Sequence, residues 1–479
     1  MTSPAECPGL AVVGAGPAGL AAAVQAAGAG LQTTIVDAGA RLGGQYWRHG
    51  PAGLPADADL HHDVRAYAGL AARAGQLIGQ GRITYLAQHH VWTVTAGPAG
   101  CTVQAIDHTD PARPAEVTVR SDYLILAAGA YDRQVPFPGW DLPGVITAGA
   151  AQSLLKGSGV VVGPRVLVAG TGPFLLPVAA GLAARGAAVV GVHEASHPAL
   201  WLRHLPALAG QGGKLSEAAG FALALARHRV PVRNRSIVVA AHGGDRLEAV
   251  TVGRLDRAGA LRSATLRRIA VDVLAVGYGF TPQPELALAA GCALHATAGQ
   301  SLAVDTDDQQ ATTSPRVFAA GEATGVGGAQ LAVAEGTLAG AAAARAAGSP
   351  GQCDPRQLRS LAARRDRLRR FAAAMHAVYP VPPAWLDSLR GDTIVCRCEE
   401  VTVADIDHAI RLGARDTRTV KLLSRSGMGW CQGRECGYAT GCLVAQRTGQ
   451  ALDLASGAGR PVATPVPLGV LARTAPPVN

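Results

Sequence analysis

Apolar residues in this chain fall into short unbroken runs that end in glycine, not into long amphipathic stripes. Leu10-Ala11-Val12-Val13 is one such run, four apolar positions with no polar alternation, the pattern of a strand buried on both faces. It stops at Gly14, an Ala-rich helix is predicted to follow, and Thr33 to Val36 predicts the next strand. The order recurs between Pro164 and Val192: RVLVAG as a strand, a glycine turn, a helix, then AAVVGV. Tyr123 to Gly129, Val271 to Gly279 and Val317 to Gly321 are further apolar strands that run into glycine. Residues Val166 to Ala184 carry no charge and are long enough to cross a bilayer. Gly170, Gly172, Pro173 and Pro177 interrupt them, so they read as strand, turn and helix, and no transmembrane segment is expected.

The expected fold is therefore α/β, with two dinucleotide-binding domains. One begins the chain (1–150), the second is inserted (151–276), and the first resumes over 277–348. A helical linker (349–390) contains an Arg-rich helix from about Asp354 to Val378 and leads through Pro380-Val381-Pro382-Pro383 into a small module (391–450). The tail (451–479) holds Pro461, Pro465, Pro467, Pro476 and Pro477 without periodicity and reads as an extended arm or disordered.

Composition narrows the classes. At 479 residues the chain is too long for one ordinary core, and 16% charged residues is far from the disordered signature. The net charge of +9 is dispersed. Its densest stretch, Arg364, Arg365, Arg367, Arg369 and Arg370, reads as a solvated helix face ahead of a docking surface, and no nucleic-acid partner is expected. No signal peptide precedes the first strand, and nine cysteines is an odd number, so the reading is a cytoplasmic protein without a disulfide framework.

Gly14, Gly16 and Gly19 have the spacing of a dinucleotide fingerprint, with Pro17 and Ala18 between them. The first glycine makes the tight turn, the second admits pyrophosphate, and the third packs helix on strand. Asp37 ends the second strand 23 residues after Gly14, where an acid holds ribose hydroxyls. Arg41, Gly43, Gly44 and Gln45 then resemble the R-x-G-G loop that closes over FAD in flavoproteins of the glutathione-reductase class. Ala128-Gly129 resembles the turn leading out of such a domain. Gly321-Glu322, with Gly328 and Ala329 beyond, resembles the closing flavin motif, with Glu in place of the usual Asp. Val91 is carried as a further FAD contact. The second fold repeats Gly170 and Gly172 and ends in Glu194, which favours NAD over NADP. Leu175 replaces its third glycine and pushes the helix outward, so NAD, another nucleotide and a vestigial site all stay open.

The paired-cysteine centre of a disulfide reductase is missing: Cys7, Cys101, Cys292 and Cys353 stand alone. Near the end, Cys396 and Cys398 form C-x-C and Cys431 and Cys436 form C-x4-C, 32 residues apart, with Cys442 read as a spectator. A helix is expected over Val403 to Leu412 and a shorter one around Val420 to Leu423. Four cysteines from two loops read as an iron–sulfur site, a zinc site or free thiols, and C-x-C suits 2Fe–2S better than zinc.

GVITAGAAQSLLK, GEATGVGGA and CRCEEVT…GMGWCQGREC together resemble the FAD-containing alpha (A) subunit of the opine oxidase, hydrogen cyanide synthase and dye-linked proline or hydroxyproline dehydrogenase family. The terminal module is similar to the bacterioferritin-associated ferredoxin (BFD) domain. Its second cysteine pair departs from the usual C-x2-C of that domain. The resemblance implies FAD and a 2Fe–2S cluster on the four cysteines. It also implies a beta flavoprotein resembling amino acid oxidases that dehydrogenates the amine and, as a further partner, a small ferredoxin-like subunit. This chain would relay electrons between flavin and cluster. No catalytic acid or base stands out: His49, His89 and His90 read as surface or packing residues. The competing readings are a self-sufficient NADH-dependent reductase that passes electrons to a protein acceptor, and a scaffold subunit with a structural flavin.

Overall fold

The computed structural model describes residues 9–50, 60, 63–349, 351, 354–456, 458–459 and 462–474. Cys7, Cys353, Pro461, Pro476 and Pro477 lie outside them. The chain opens with β1 (Gly9–Val13), α1 (Pro17–Gly28), β2 (Gln32–Asp37) and β3 (Ile83–Ala87). An antiparallel meander over His89–Gly97, Gly100–Asp107 and Ala115–Ser121 precedes β4 (Tyr123–Leu126). A short strand, β5 (Ala130–Asp132), then leads away.

The second unit repeats the plan. It comprises β6 (Val145–Thr147), β7 (Arg165–Gly170), α2 (Leu175–Ala184), β8 (Ala188–Glu194) and β9 (Val232–Asn234). A second antiparallel meander, Ser236–His242, Ala249–Leu255 and Leu261–Ala270, precedes β10 (Val273–Gly277). The chain returns through β11 (Phe280–Pro282), antiparallel to β5, so that these two strands form a two-strand hinge. β12 (Val317–Ala319) and α3 (Ala329–Ala346) complete the first unit, and α4 (Pro355–Val378) follows. The cysteine module carries α5 (Val403–Arg411), α6 (Thr417–Ser424) and α7 (Gly437–Thr448).

Both main sheets are five-stranded and parallel, in the orders β12-β4-β1-β2-β3 and β9-β8-β7-β10-β6. Their central strands are buried throughout; Leu10 to Val13 and Val166 to Gly170 show no solvent-facing alternation, which is why they read as unbroken apolar runs. α1 and α3 cross at backbone contact. A Cβ on Gly336 would stand 2.0 Å from the Ala18 carbonyl oxygen, and one on Gly340 2.3 Å from that of Ala22.

Two expectations change. The tail is not without structure: Leu468–Thr474 is helical, and Ala463 N donates to the Trp92 carbonyl, laying this segment along the first meander. The Arg-rich helix is also not a uniform solvated face. Arg364, Arg367 and Arg370 are exposed, whereas Arg365 is buried against Asp308 and Asp366 and Arg369 pairs with Glu335.

Candidate functional site

The first glycine loop is built for close approach. Gly14 holds a positive φ of 100°, and a Cβ there would lie 2.3 Å from the Ala127 carbonyl oxygen. A Cβ on Gly19 would lie 1.8 Å from the Gly14 carbonyl oxygen, so no side chain fits. Gly16 instead has open space, bounded by Gly44, whose own Cβ would come 2.6 Å from Gly16 Cα. The fingerprint loop and the Gly43-Gly44 loop therefore meet backbone to backbone. Gly16 is the N-cap of α1, Pro17 follows, and no side chain caps the helix, leaving its amide end to an anion. Asp37 Oδ2 accepts from Ala15 N (2.6 Å) and Oδ1 from Gly39 N (2.7 Å). Burial raises its pKa and those two amides pull it back. The carboxylate is half-buried and keeps lone pairs free for hydroxyls.

At the far end of this cradle, Gly321 has a φ of 77° and touches Ala18. Glu322 Oε1 accepts from Gly328 N (2.8 Å), closing the turn before α3 begins at Ala329; burial raises the pKa of its carboxyl. The structure brings Gly14, Gly16, Gly19, Gly44, Ala18 and Gly321 together. Arg41 and Gln45 are exposed on the loop, and Gly129, with a φ of 82°, follows β4. Val91 is a buried residue of the meander whose carbonyl accepts from Thr464. A brace that the sequence reading missed is Glu335. Only 1% exposed, it accepts from Gly321 N (2.9 Å), Thr324 Oγ1 (2.8 Å) and Arg369 Nε (2.9 Å).

The second loop looks alike in sequence and differs in its bonds. A Cβ on Gly170 would lie 1.7 Å from the Gly277 carbonyl oxygen, a constraint between neighbouring strands and not one set by a ligand. Leu175 is 1% exposed and lies beside Gly277. α2 starts only there, and the Leu175 and Leu176 amides donate back to Gly172 and Pro173, tightening the first turn. Glu194 Oε1 accepts from Thr171 Oγ1 (3.0 Å) and Ser196 N (2.8 Å), and Oε2 accepts from Gly172 N (2.9 Å). Burial pushes its carboxyl up to about 7 against those amides. Ser196 donates its hydroxyl to the Val378 carbonyl, Trp201 stacks on Phe371 at 5.3 Å, and Trp201 Nε1 donates to Tyr379 Oη. The end of α4 thus lies across the mouth of this fold.

In the cysteine module the four thiols fall into two pairs, Cys396 with Cys436 and Cys398 with Cys431, each reaching across the two loops. All four are free. Backbone amides of Gly427, Glu399 and Cys398 point at the Cys396 sulfur and that of Cys431 at Cys398. Cys436 beside it draws the Cys396 thiol below its ordinary pKa, against the effect of burial. Gly429 must be glycine, since a Cβ there would lie 2.2 Å from Cys398 Cβ. Among the described residues, no three His, Cys, Asp or Glu side chains converge on one point as a single ion requires. The paired thiols with amides aimed at sulfur fit the donor set of a two-iron cluster. α5 is fixed by a capping box between Thr402 and Asp405.

This module is docked on the hinge, not tethered. Trp140 Nε1 donates to the Ile394 carbonyl (2.7 Å), and Arg397 lies over the Trp140 ring. Arg434, between the second pair of cysteines, donates from Nε to Glu285 Oε1 (3.0 Å), which also accepts from Tyr131 Oη. Phe137, Trp140, Leu274, Val395, Ile406 and Leu443 share one core.

Residues 8–336 match the family described as pyridine nucleotide-disulphide oxidoreductase, and residues 394–446 match the BFD-like [2Fe-2S] binding domain. The A subunit of opine oxidase from Agrobacterium tumefaciens (strain Ach5) is 34% identical over 89% of this chain and 83% of its own length. Hydrogen cyanide synthase subunit HcnB of Pseudomonas protegens is 32% identical over 92% of each chain. The crystal structure of L-proline dehydrogenase from P. horikoshii superposes with a TM-score of 0.67 at 21% identity, covering 97% of this chain and 79% of that one, and bears on the fold. No helix among the described residues is long and apolar enough to cross a membrane. This chain is an FAD-dependent oxidoreductase with a 2Fe-2S domain, and it belongs to the pyridine nucleotide-disulphide oxidoreductase family, among relatives that include the opine oxidase A subunit and the hydrogen cyanide synthase subunit HcnB.

Proposed function

We propose that this chain is the electron-transfer subunit of a cytoplasmic, multi-subunit dehydrogenase or oxidase acting on CH–NH donors of amine, opine or proline type. Its partner on this reading is a beta flavoprotein resembling amino acid oxidases, which binds and oxidises the donor, and a small ferredoxin-like subunit is a further one. The relatives' names support a partner, since each is the name of one subunit. The observation that carries the reading is the closed mouth of the second dinucleotide fold. Glu194 is buried and accepts three hydrogen bonds, and Val378 and Tyr379 lie beside it, which leaves the first cradle and the four thiols as the redox centres.

In this role the Gly14–Gly19 loop and the α1 amides hold the pyrophosphate, Asp37 the ribose hydroxyls, and Glu322 with Ala329 the ribityl end. Arg41, Gly43, Gly44 and Gln45 cover the phosphates, with Ala128, Gly129 and Val91 along the remaining edge. Cys396, Cys398, Cys431 and Cys436 hold the irons, while Gly427 and Glu399 direct amides at sulfur. FAD supplies two-electron uptake with single-electron release, and the cluster supplies one-electron carriage.

Anaerobic addition of NADH to the purified chain is expected to leave the flavin absorbance unchanged. Adding the beta flavoprotein with an amino acid or opine is expected to bleach it. Rapid bleaching by NADH alone would instead establish a self-sufficient reductase. Cys431→Ser is expected to lose iron and sulfide while keeping FAD; a chain that holds zinc and no iron refutes the relay.

A further inference from the structure

Among the described residues, Arg133 is a buried cation with no carboxylate partner. It follows β5 in the hinge and is 8% exposed. Its Nη2 donates to the Ser301 hydroxyl and to the Phe280 carbonyl, its Nε donates to nothing, and its guanidinium lies 4.6 Å from the centroid of the Tyr438 ring. None of these neighbours carries a negative charge. Burial draws the Arg133 pKa below its ordinary range. An apolar residue of similar size would fill the same space without that desolvation cost, so the charge calls for an anion nearby.

The candidates narrow quickly. Arg133 lines a cavity between the hinge and the cysteine module, together with Glu285, Ser426, Gly427, Cys436 and Tyr438. Glu285 is already taken by Arg434 and Tyr131. The other two carboxylates lining the cavity sit elsewhere: Glu435 is exposed, and Asp453 accepts the amides of Ala455 and Ser456. What faces Arg133 from the module is the Tyr438 ring and Cys442, whose thiol burial raises toward the neutral form, and the same cavity is lined by Cys436 and by Gly427, whose amide serves Cys396. Two ferric ions, two sulfides and four thiolates together carry two negative charges, and uptake of one electron makes three without breaking a bond.

We propose that Arg133 is the counter-charge that the flavin-domain hinge supplies to the 2Fe–2S cluster, a positioning residue that favours the reduced cluster. This rests on the assignment of the cluster to Cys396, Cys398, Cys431 and Cys436. The latch then runs both ways, with Arg434 of the module reaching a carboxylate on the hinge and Arg133 of the hinge serving the module's thiolates.

The test is an anaerobic dithionite titration of the holo chain, following the reduced cluster by electron paramagnetic resonance, in wild type, Arg133→Met and Arg133→Lys. At the potential that half-reduces the wild-type cluster, Arg133→Met is expected to lower the reduced-to-oxidised ratio by about fivefold. Arg133→Lys, which keeps the charge, should stay within about twofold. The ratio is read on the cluster that is present and does not depend on occupancy. An Arg133→Met ratio equal to wild type overturns the proposal. So does loss of iron from Arg133→Met, which would assign Arg133 a packing role. Absence of iron and sulfide from the wild type would instead fail the cluster assignment itself.

Discussion

The two dinucleotide folds share a plan and differ in what their glycine loops are bonded to. In the first, Gly19 is enforced by a 1.8 Å clash with the loop carbonyl, the helix end is uncapped, and Asp37 is half-open. In the second, Leu175 fills the third glycine's place, the first-turn amides are spent on Gly172 and Pro173, and Glu194 is 7% exposed and accepts three hydrogen bonds where Asp37 accepts two. The motif that marks a nucleotide site is thus also a solution for packing a helix on a sheet. The unspent hydrogen-bonding capacity, more than the glycines, separates a binding loop from a packing one.

The largest effect is expected from converting one loop into the other. Gly19→Leu copies the second loop into the first, and the purified chain is expected to lose flavin, its 450 nm absorbance per protein falling by about tenfold or more. Retained flavin would mean that the clash relaxes. Leu175→Ala acts only on packing. It should cost about 3 kcal/mol in a denaturant titration with flavin content unchanged, and even Leu175→Gly should gain no NADH affinity by titration, because Glu194 stays engaged. His193, buried beneath the same mouth beside Ser236, supplies a pH probe. Burial, aided by Arg233 and Arg267, brings its pKa down to about 4 from 6.5. The unfolded chain therefore binds the proton more readily. Stability from this group is full above 6.5 and is lost as pH falls through 4, by about 3 kcal/mol, and His193→Gln should flatten that slope in pH-dependent melts. The smallest effect belongs to the strap. Trp201→Ala removes the stack on Phe371 and should cost about 1 kcal/mol in the same titration; any gain in NADH binding would show that the strap, and not Glu194, closes the mouth.

Much of this was legible along the chain. Strands buried on both faces announce themselves as apolar runs, and the cysteine spacing marked the four thiols that pair in the structure. The unread residues are those whose partners are remote. Glu335 meets Arg369 34 positions away, and Glu285 meets Arg434 149 positions away, and no local periodicity encodes such pairs. One signal was present. Arg365 and Arg369 fall four apart on the same face as Leu368 and Ala372, an inward stripe that sets them apart from Arg364, Arg367 and Arg370. Likewise Leu175 was visible as a departure, but only the bonds of Glu194 show how the loop is used.

α4 touches both dinucleotide folds, holding the flavin closure through Arg369 and the second mouth through Phe371 and Val378. It therefore acts as a splint across the hinge of β5 and β11, and rotation of one fold against the other would have to break contacts at both of its ends. Centres mounted on such a frame keep a constant separation, so passage between them is governed by tunnelling distance and not by diffusion of a domain. Flavin-to-cluster transfer, followed by rapid mixing, should accordingly be insensitive to solvent viscosity, where an enzyme that swings its domains would slow in proportion.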